Sequence, residues 1–92
     1  MGDYPEDEDL ESIKKWPHQD FHGLMEFIKG IWWCSDWGFS EKDGIYSLST
    51  GGWSGNEEII GAMRQNYIFW SLCWMSSRRG GHHEFEIPEV KQ

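Results

Sequence analysis

Segments of helical and strand periodicity follow one another along this 92-residue chain and predict an α+β fold. The expected architecture is a three-stranded antiparallel sheet, made of a hairpin plus a C-terminal strand, with two main helices packed on one face and a short N-terminal helix. Three observations carry this reading. Two long segments repeat apolar residues at steps of three and four, a C-terminal segment alternates, and Asp43-Gly44 sits between two strand-like runs. A hydrophobic content of 38% and an aromatic content of 16% exclude disorder for most of the chain. The length excludes barrel enzymes and doubly wound dinucleotide folds with a second substrate domain.

The elements follow in order. Leu10, Ile13 and Trp16 lie three apart, which is a short helical face, and Pro17 interrupts it. Phe21, Leu24, Met25, Ile28, Ile31 and Trp32 form one apolar stripe of a helix from about His18 to Cys34. Asp36-Trp37-Gly38 is expected to end it, with Gly38 in a left-handed turn. Phe39 and the run 45–50 then flank Glu41-Lys42-Asp43-Gly44 as two antiparallel strands. Ile45 and Leu48 cannot share a face under strict alternation, which leaves the inward register open.

Gly51-Gly52-Trp53-Ser54-Gly55 breaks the second strand, and Asn56 is a good N-cap before Glu57-Glu58, whose charges suit the positive end of a helix dipole. A second helix is expected from Asn56 to Ser77. Its apolar positions Ile59, Ile60, Met63, Tyr67, Trp70 and Trp74 are widened by Ile68, Phe69, Leu72 and Cys73 until little polar surface remains. Such a helix is either central to the core or covered in part by another chain. Arg78-Arg79-Gly80-Gly81 ends it, His83–Ile87 alternates as the third strand with Phe85 and Ile87 inward, and Pro88 stops that strand.

The formal net charge is −8. Six carboxylates, Asp3, Glu6, Asp7, Glu8, Asp9 and Glu11, lie in the first twelve residues, so the rest of the chain is nearly neutral. Residues 1–8 are expected to be an acidic disordered tail and residues 9–90 a single α+β domain. A solvated terminus or a nucleic-acid-like surface that blocks a basic partner would both explain the tail. Cys34 and Cys73 sit in apolar surroundings outside any CxxC unit and read as free buried thiols. No run is long enough for a membrane span and no secretory start is present, so the expectation is a soluble protein of the cytoplasm.

Seven tryptophans are more than a core this small should enclose. Core packing, self-association and ligand stacking all remain open for them. The loop Gly51–Asn56, between a strand and a helix, suits a phosphate or carboxylate at backbone N–H groups, although there is no Walker lysine and Glu57 and Glu58 would repel an anion. Gly52-x-Ser54-x-Asn56 nearly matches a nucleophile elbow but lacks its second glycine. His18 and His22 are four apart, as zinc ligands can be, without an evident third ligand. Arg78-Arg79-Gly80-Gly81-His82-His83 offers guanidinium forks and imidazole N–H groups to phosphate oxygens, or simply complements a helix C-terminus.

A helix from Asn56 to Ser77 would span about 30 Å. The glycine loop and the arginine pair would then be unable to meet in one protomer. A two-fold dimer with these helices antiparallel would instead build two composite sites, each with Trp53, Ser54 and Asn56 from one chain and Arg78, Arg79 and His82 from the other, and Gly55 and His83 are also expected to bind the ligand.

Lys29-Gly30-Ile31-Trp32-Trp33 through Trp37-Gly38-Phe39, Gly51–Ile60, and Ser76–His82 with Phe85-Glu86-Ile87 resemble small accessory proteins of tailed bacteriophages and prophages. The resemblance covers most of the chain after Trp16 and implies an anti-defence protein acting in the cytoplasm of a bacterial host. The leading expectation is a non-enzymatic homo-oligomer that sequesters a small nucleotide-like immune signal, as a sponge, with no cofactor, no metal, no catalytic residue, no membrane and no duplex nucleic acid. The alternative is an acidic protein–protein inhibitor of a host defence protein. A small hydrolase built on Ser54 or the histidines is the third.

Overall fold

The computed structural model describes residues 5–88. Helix α1 (Asp7–Lys14) leads into a single 3-10 turn (His18–Asp20) and helix α2 (Phe21–Ile31). A four-residue helix α3 (Ser35–Gly38) precedes the hairpin β1 (Phe39–Lys42) and β2 (Ile45–Ser49). Helices α4 (Ser54–Gln65) and α5 (Tyr67–Cys73) follow, and then a second hairpin, β3 (Trp74–Arg78) and β4 (His82–Glu86). The fold is α+β, but the antiparallel sheet has four strands, in the order β1-β2-β4-β3.

Helix α1 begins two residues inside the expected tail. Glu6 donates its N–H to the Asp9 carboxylate at 3.0 Å, and Asp7, Glu8 and Asp9 all lie in the first turn, where negative charge meets the unpaired N–H groups. Asp7 and Glu8 are therefore helical, and residues 1–4 of the expected tail lie outside the described residues. Ile13 is the buried anchor of α1. Trp16 donates Nε1–H to the Asp20 carbonyl at 2.8 Å and packs its ring 5.2 Å from Phe27.

Helix α2 follows its predicted stripe, with Phe21, Leu24, Met25 and Ile28 buried, and Asp20 caps it through the Gly23 N–H at 3.2 Å. It stops at Ile31, earlier than expected, because Trp32 turns extended and Cys34 takes the left-handed conformation at φ 59°. Gly38 therefore ends no helix in a left-handed turn. It is glycine for space, since a methyl there would lie 2.6 Å from the Ser49 carbonyl oxygen.

Asp43 and Gly44 both take positive φ, 56° and 84°, and make the tight turn expected of Asp-Gly. Tyr46 and Leu48 are the inward residues of β2, which settles its register. They share a face with Phe39 of β1 and with Phe85 of β4, through the pairs Phe39↔Leu48 and Tyr46↔Phe85. Helices cover this face: Trp32 lies 6.3 Å from Phe39, Phe69 and Trp70 each lie 5.5 Å from Phe85, and Phe21 meets Phe69 edge-on at 5.2 Å. The opposite face is open and polar, with Ser40, Lys42, Ser47, Ser49, Ser76, Arg78, His82, Glu84 and Glu86.

The continuous helix expected from Asn56 to Ser77 is not formed. Asn66 interrupts it at φ −85°, ψ 89° and caps α5 by accepting the Phe69 N–H at 3.2 Å. Its amide donates to the Ile13 and Trp16 carbonyls at 2.9 and 3.2 Å, which fastens the break to the end of α1. After only seven residues α5 gives way to β3, which pairs with β4. Three strands thus become four because residues 74–78 exchange local helical bonds for a ladder. The rings of Trp70 and Trp74 stack across this transition at 5.8 Å.

Candidate functional site

The break at Asn66 overturns the argument that the glycine loop and the arginine pair are kept apart. The β3–β4 hairpin folds back, and the Thr50 N–H donates to the Gly81 carbonyl at 2.9 Å. The strand-to-helix loop and the basic turn are therefore neighbours within one protomer. Gly51, Gly52, Gly80 and Gly81 all have positive φ, between 64° and 89°. At Gly81 the requirement is doubled, because a methyl group would overlap the Thr50 hydroxyl. Both loops can approach each other this closely only with glycine there.

Two backbone donors of the loop are committed. The Gly52 N–H donates to Thr50 Oγ1 at 3.3 Å and the Trp53 N–H to the Thr50 carbonyl at 3.0 Å. Thr50 Oγ1 in turn donates to Glu57 Oε2 at 3.4 Å, so a carboxylate faces this corner. That carboxylate disfavours an anion at the loop, and the attraction available to one lies on the Arg78–His82 side.

Asn56 is neither an N-cap nor poised for a ligand. The helix starts from Trp53, which is extended at φ −79°, ψ 122°, and places Asn56 inside the first turn. Its buried amide accepts the Trp33 N–H at 2.9 Å and donates to the Trp33 and Thr50 carbonyls at 3.1 and 3.4 Å. Gly55 is buried beside it. Trp53 stacks on Trp33 with ring centroids 4.7 Å apart, and Ser54 opens α4 on the exposed side. Asn56 thus joins the α2–α3 connection to the loop, and Trp53 covers that joint.

His82 and His83 diverge to opposite faces of the sheet. His82 lies on the open face across from Ser49 and Arg78, with Nδ1 2.8 Å from Ser49 Oγ and Nε2 3.9 Å from Glu84 Oε2. Ser76 Oγ donates to the same carboxylate at 3.0 Å. His82 can therefore offer an N–H to an anion. His83 lies on the covered face, with Nδ1 2.7 Å from Ser77 Oγ. Burial pushes its pKa below the usual 6.5, the Arg64 and His82 charges push the same way, and Glu57 opposes them. His83 is consequently neutral at pH 7 and supplies no charge to the site. Arg79 sits in the exposed turn itself.

One aromatic residue escaped the sequence reading. Trp37, taken as the end of a helix, is 70% exposed and lies against Gly51, where a methyl would come 3.1 Å from its ring. Its ring lies beside the loop and stays open to solvent. Nothing in its spacing marks it, since α3 and Gly51 become neighbours only through the hairpin.

The grooves elsewhere are separate from this junction. One of about 500 Å³ is lined by Glu11, Lys15, Trp16, Pro17 and Asp20, and one of about 250 Å³ by His18, His22, Leu72, Ile87 and Pro88. Among the described residues no group of three or more His, Cys, Asp or Glu side chains could hold a metal ion. Both cysteines are free, but Cys34 is exposed rather than buried. Burial holds the Cys73 thiol up to about 11. No helix among the described residues is long and apolar enough to cross a membrane. No protein-family model matches the chain, and neither does any curated protein or solved structure.

Proposed function

We propose that this chain is a non-enzymatic binding protein that sequesters a small, anionic, nucleotide-like ligand as a homo-oligomer. The observation that carries the reading is the bond from the Thr50 N–H to the Gly81 carbonyl, which joins the loop that the exposed Trp37 ring lies against to the basic turn. In this arrangement a base stacks on Trp37, and phosphate oxygens take the forks of Arg78 and Arg79 and an N–H of His82. Stacking of one base contributes about 1–3 kcal/mol. Capture alone suffices, so no nucleophile is needed. The resemblance to phage accessory proteins makes nucleotide immune signals in a bacterial cytoplasm the class to test first.

The test is titration of the purified protein with nucleoside monophosphates and cyclic dinucleotides, followed by tryptophan fluorescence and calorimetry. Trp37→Ala and the double variant Arg78→Ala/Arg79→Ala should each abolish saturable binding while leaving the circular dichroism spectrum unchanged. Unaltered affinity in both would refute the site.

A second reading, inhibition of a host defence protein through a protein–protein contact, is favoured by the surface of α5. Tyr67, Ile68 and Leu72 are 78%, 52% and 57% exposed, and exposed apolar side chains gathered on one short helix are a feature of interaction surfaces. The acidic first turn of α1 would add charge complementarity to a basic partner. Substituting Ile68 and Leu72 with glutamate should abolish inhibition in that case and leave nucleotide capture intact.

A further inference from the structure

We propose that a second copy of this chain pairs its β3 with β3 of the first, antiparallel and centred on Ser77, so that each copy's Trp74 and Met75 lie against the other's basic turn. The inference rests on the ligand reading only for the use made of that turn; the pairing itself stands on the sheet. Among the described residues β3 has β4 as its one strand neighbour, and its other edge is open. Its sequence, Trp-Met-Ser-Ser-Arg, holds neither the proline nor the lysine with which exposed edges are usually blunted. Trp74 and Met75 are 42% and 43% exposed at its start.

The register follows from the faces. Ser76 and Arg78 lie opposite Glu84 and His82 and point to the open face, whereas Ser77 lies opposite His83 and points to the covered face. Residues directly opposite one another in a ladder share a face. A two-fold axis through Ser77 meets that condition: Ser77 faces the partner's Ser77, and Ser76 faces the partner's Arg78. An axis through Ser76 would instead set Trp74, which lies across from Phe85 on the covered face, opposite the partner's Arg78 on the open one.

Charge complementarity favours the same register. The partner's Arg78 would lie two strand spacings from Glu84, about 10 Å between backbones, within the joint reach of the two side chains. Glu84 is already directed along this face by Ser76 Oγ at 3.0 Å. The two-fold makes the contact twice. Beyond the paired core, Met75 of each copy comes beside Arg79 of the other, and Trp74 beside Gly80. Trp74 itself stays on the covered face, where its Nε1–H donates to Ser77 Oγ at 2.9 Å and its ring stacks on Trp70.

The experiment is native mass spectrometry and light scattering on the ligand-free full chain at micromolar concentration. The expected mass is twice the 10.9 kDa of the chain. Arg78→Glu and Glu84→Arg should each halve that mass, and the double variant should restore it. A wild-type monomer, or a dimer that survives both single substitutions in the folded state, overturns the proposal. If the variants fail to fold, hydrogen exchange on the wild-type protein decides the matter. Protection of the residue 75–79 amides should rise with protein concentration, and concentration-independent exchange refutes the edge. The nucleotide titration is read separately. A dimer that binds no nucleotide keeps the interface and removes the ligand reading, whereas a monomer that binds through Trp37 does the reverse.

Discussion

Replacing Asn66 by alanine removes the residue that divides α4 from α5. Three hydrogen bonds are lost at a site that is 6% exposed: the cap to the Phe69 N–H, and the two amide bonds to the Ile13 and Trp16 carbonyls. Loss of an N-cap costs about 1 kcal/mol, and loss of each amide hydrogen bond costs about 0.5–1.5 kcal/mol, the Ile13 carbonyl keeping the Trp16 N–H at 3.3 Å. The expected destabilisation is about 2–4 kcal/mol, a large share of the roughly 5–14 kcal/mol available to a domain of this size. In urea unfolding followed by circular dichroism, the midpoint should fall at unchanged slope, and the melting temperature should drop by about 10–25 °C. Asn66→Ser keeps a cap acceptor without the amide donors and should recover about 1 kcal/mol. A loss below about 1 kcal/mol for Asn66→Ala would refute the argument that this side chain holds the helix break to α1.

Three further outcomes follow from the same contacts. Gly80→Ala, at φ 89° with open space around it, should cost about 1 kcal/mol of left-handed strain, whereas Gly81→Ala also drives a methyl into the Thr50 hydroxyl and should cost roughly 1–2 kcal/mol more in denaturant melts; equal costs would remove the close approach of loop and turn. Alkylation at pH 8 followed by peptide mass analysis should modify exposed Cys34 in the native protein and reach Cys73, held protonated near 11 by burial, only in urea; rapid native labelling of Cys73 would contradict its placement. His83 has its folded pKa lowered by burial, so the unfolded chain binds the proton more readily and stability falls as pH drops from 6.5 through the folded value, with the full contribution present above 6.5. Urea midpoints between pH 5 and 8 should show that rise in the wild type and a shallower one in His83→Gln; identical slopes would dismiss the burial.

Features decided by neighbours in sequence were legible before the fold was known. The stripe Phe21, Leu24, Met25, Ile28 needs only helical spacing, and the β1–β2 hairpin needs only an Asp-Gly pair that accepts positive φ. The basic turn and the glycine loop were likewise visible as separate segments. What the sequence could not place was anything that depends on a partner far along the chain. Asn66 looks like one polar residue in an apolar helix until its amide meets carbonyls 53 and 50 positions away. Asn56 looks like a cap until the Trp33 backbone claims it, 23 positions away.

The sequence by itself determined that helices and antiparallel strands would share one small core, and which residues would form its main stripe. The tertiary structure alone decided that residues 74–78 become a strand, and hence that the loop at Thr50 and the turn at Gly81 meet. The physical reason is that a strand's hydrogen bonds lie outside its own segment. A helix over those residues would satisfy its backbone locally, and β3 forms only because β4 returns to supply the other half of the ladder.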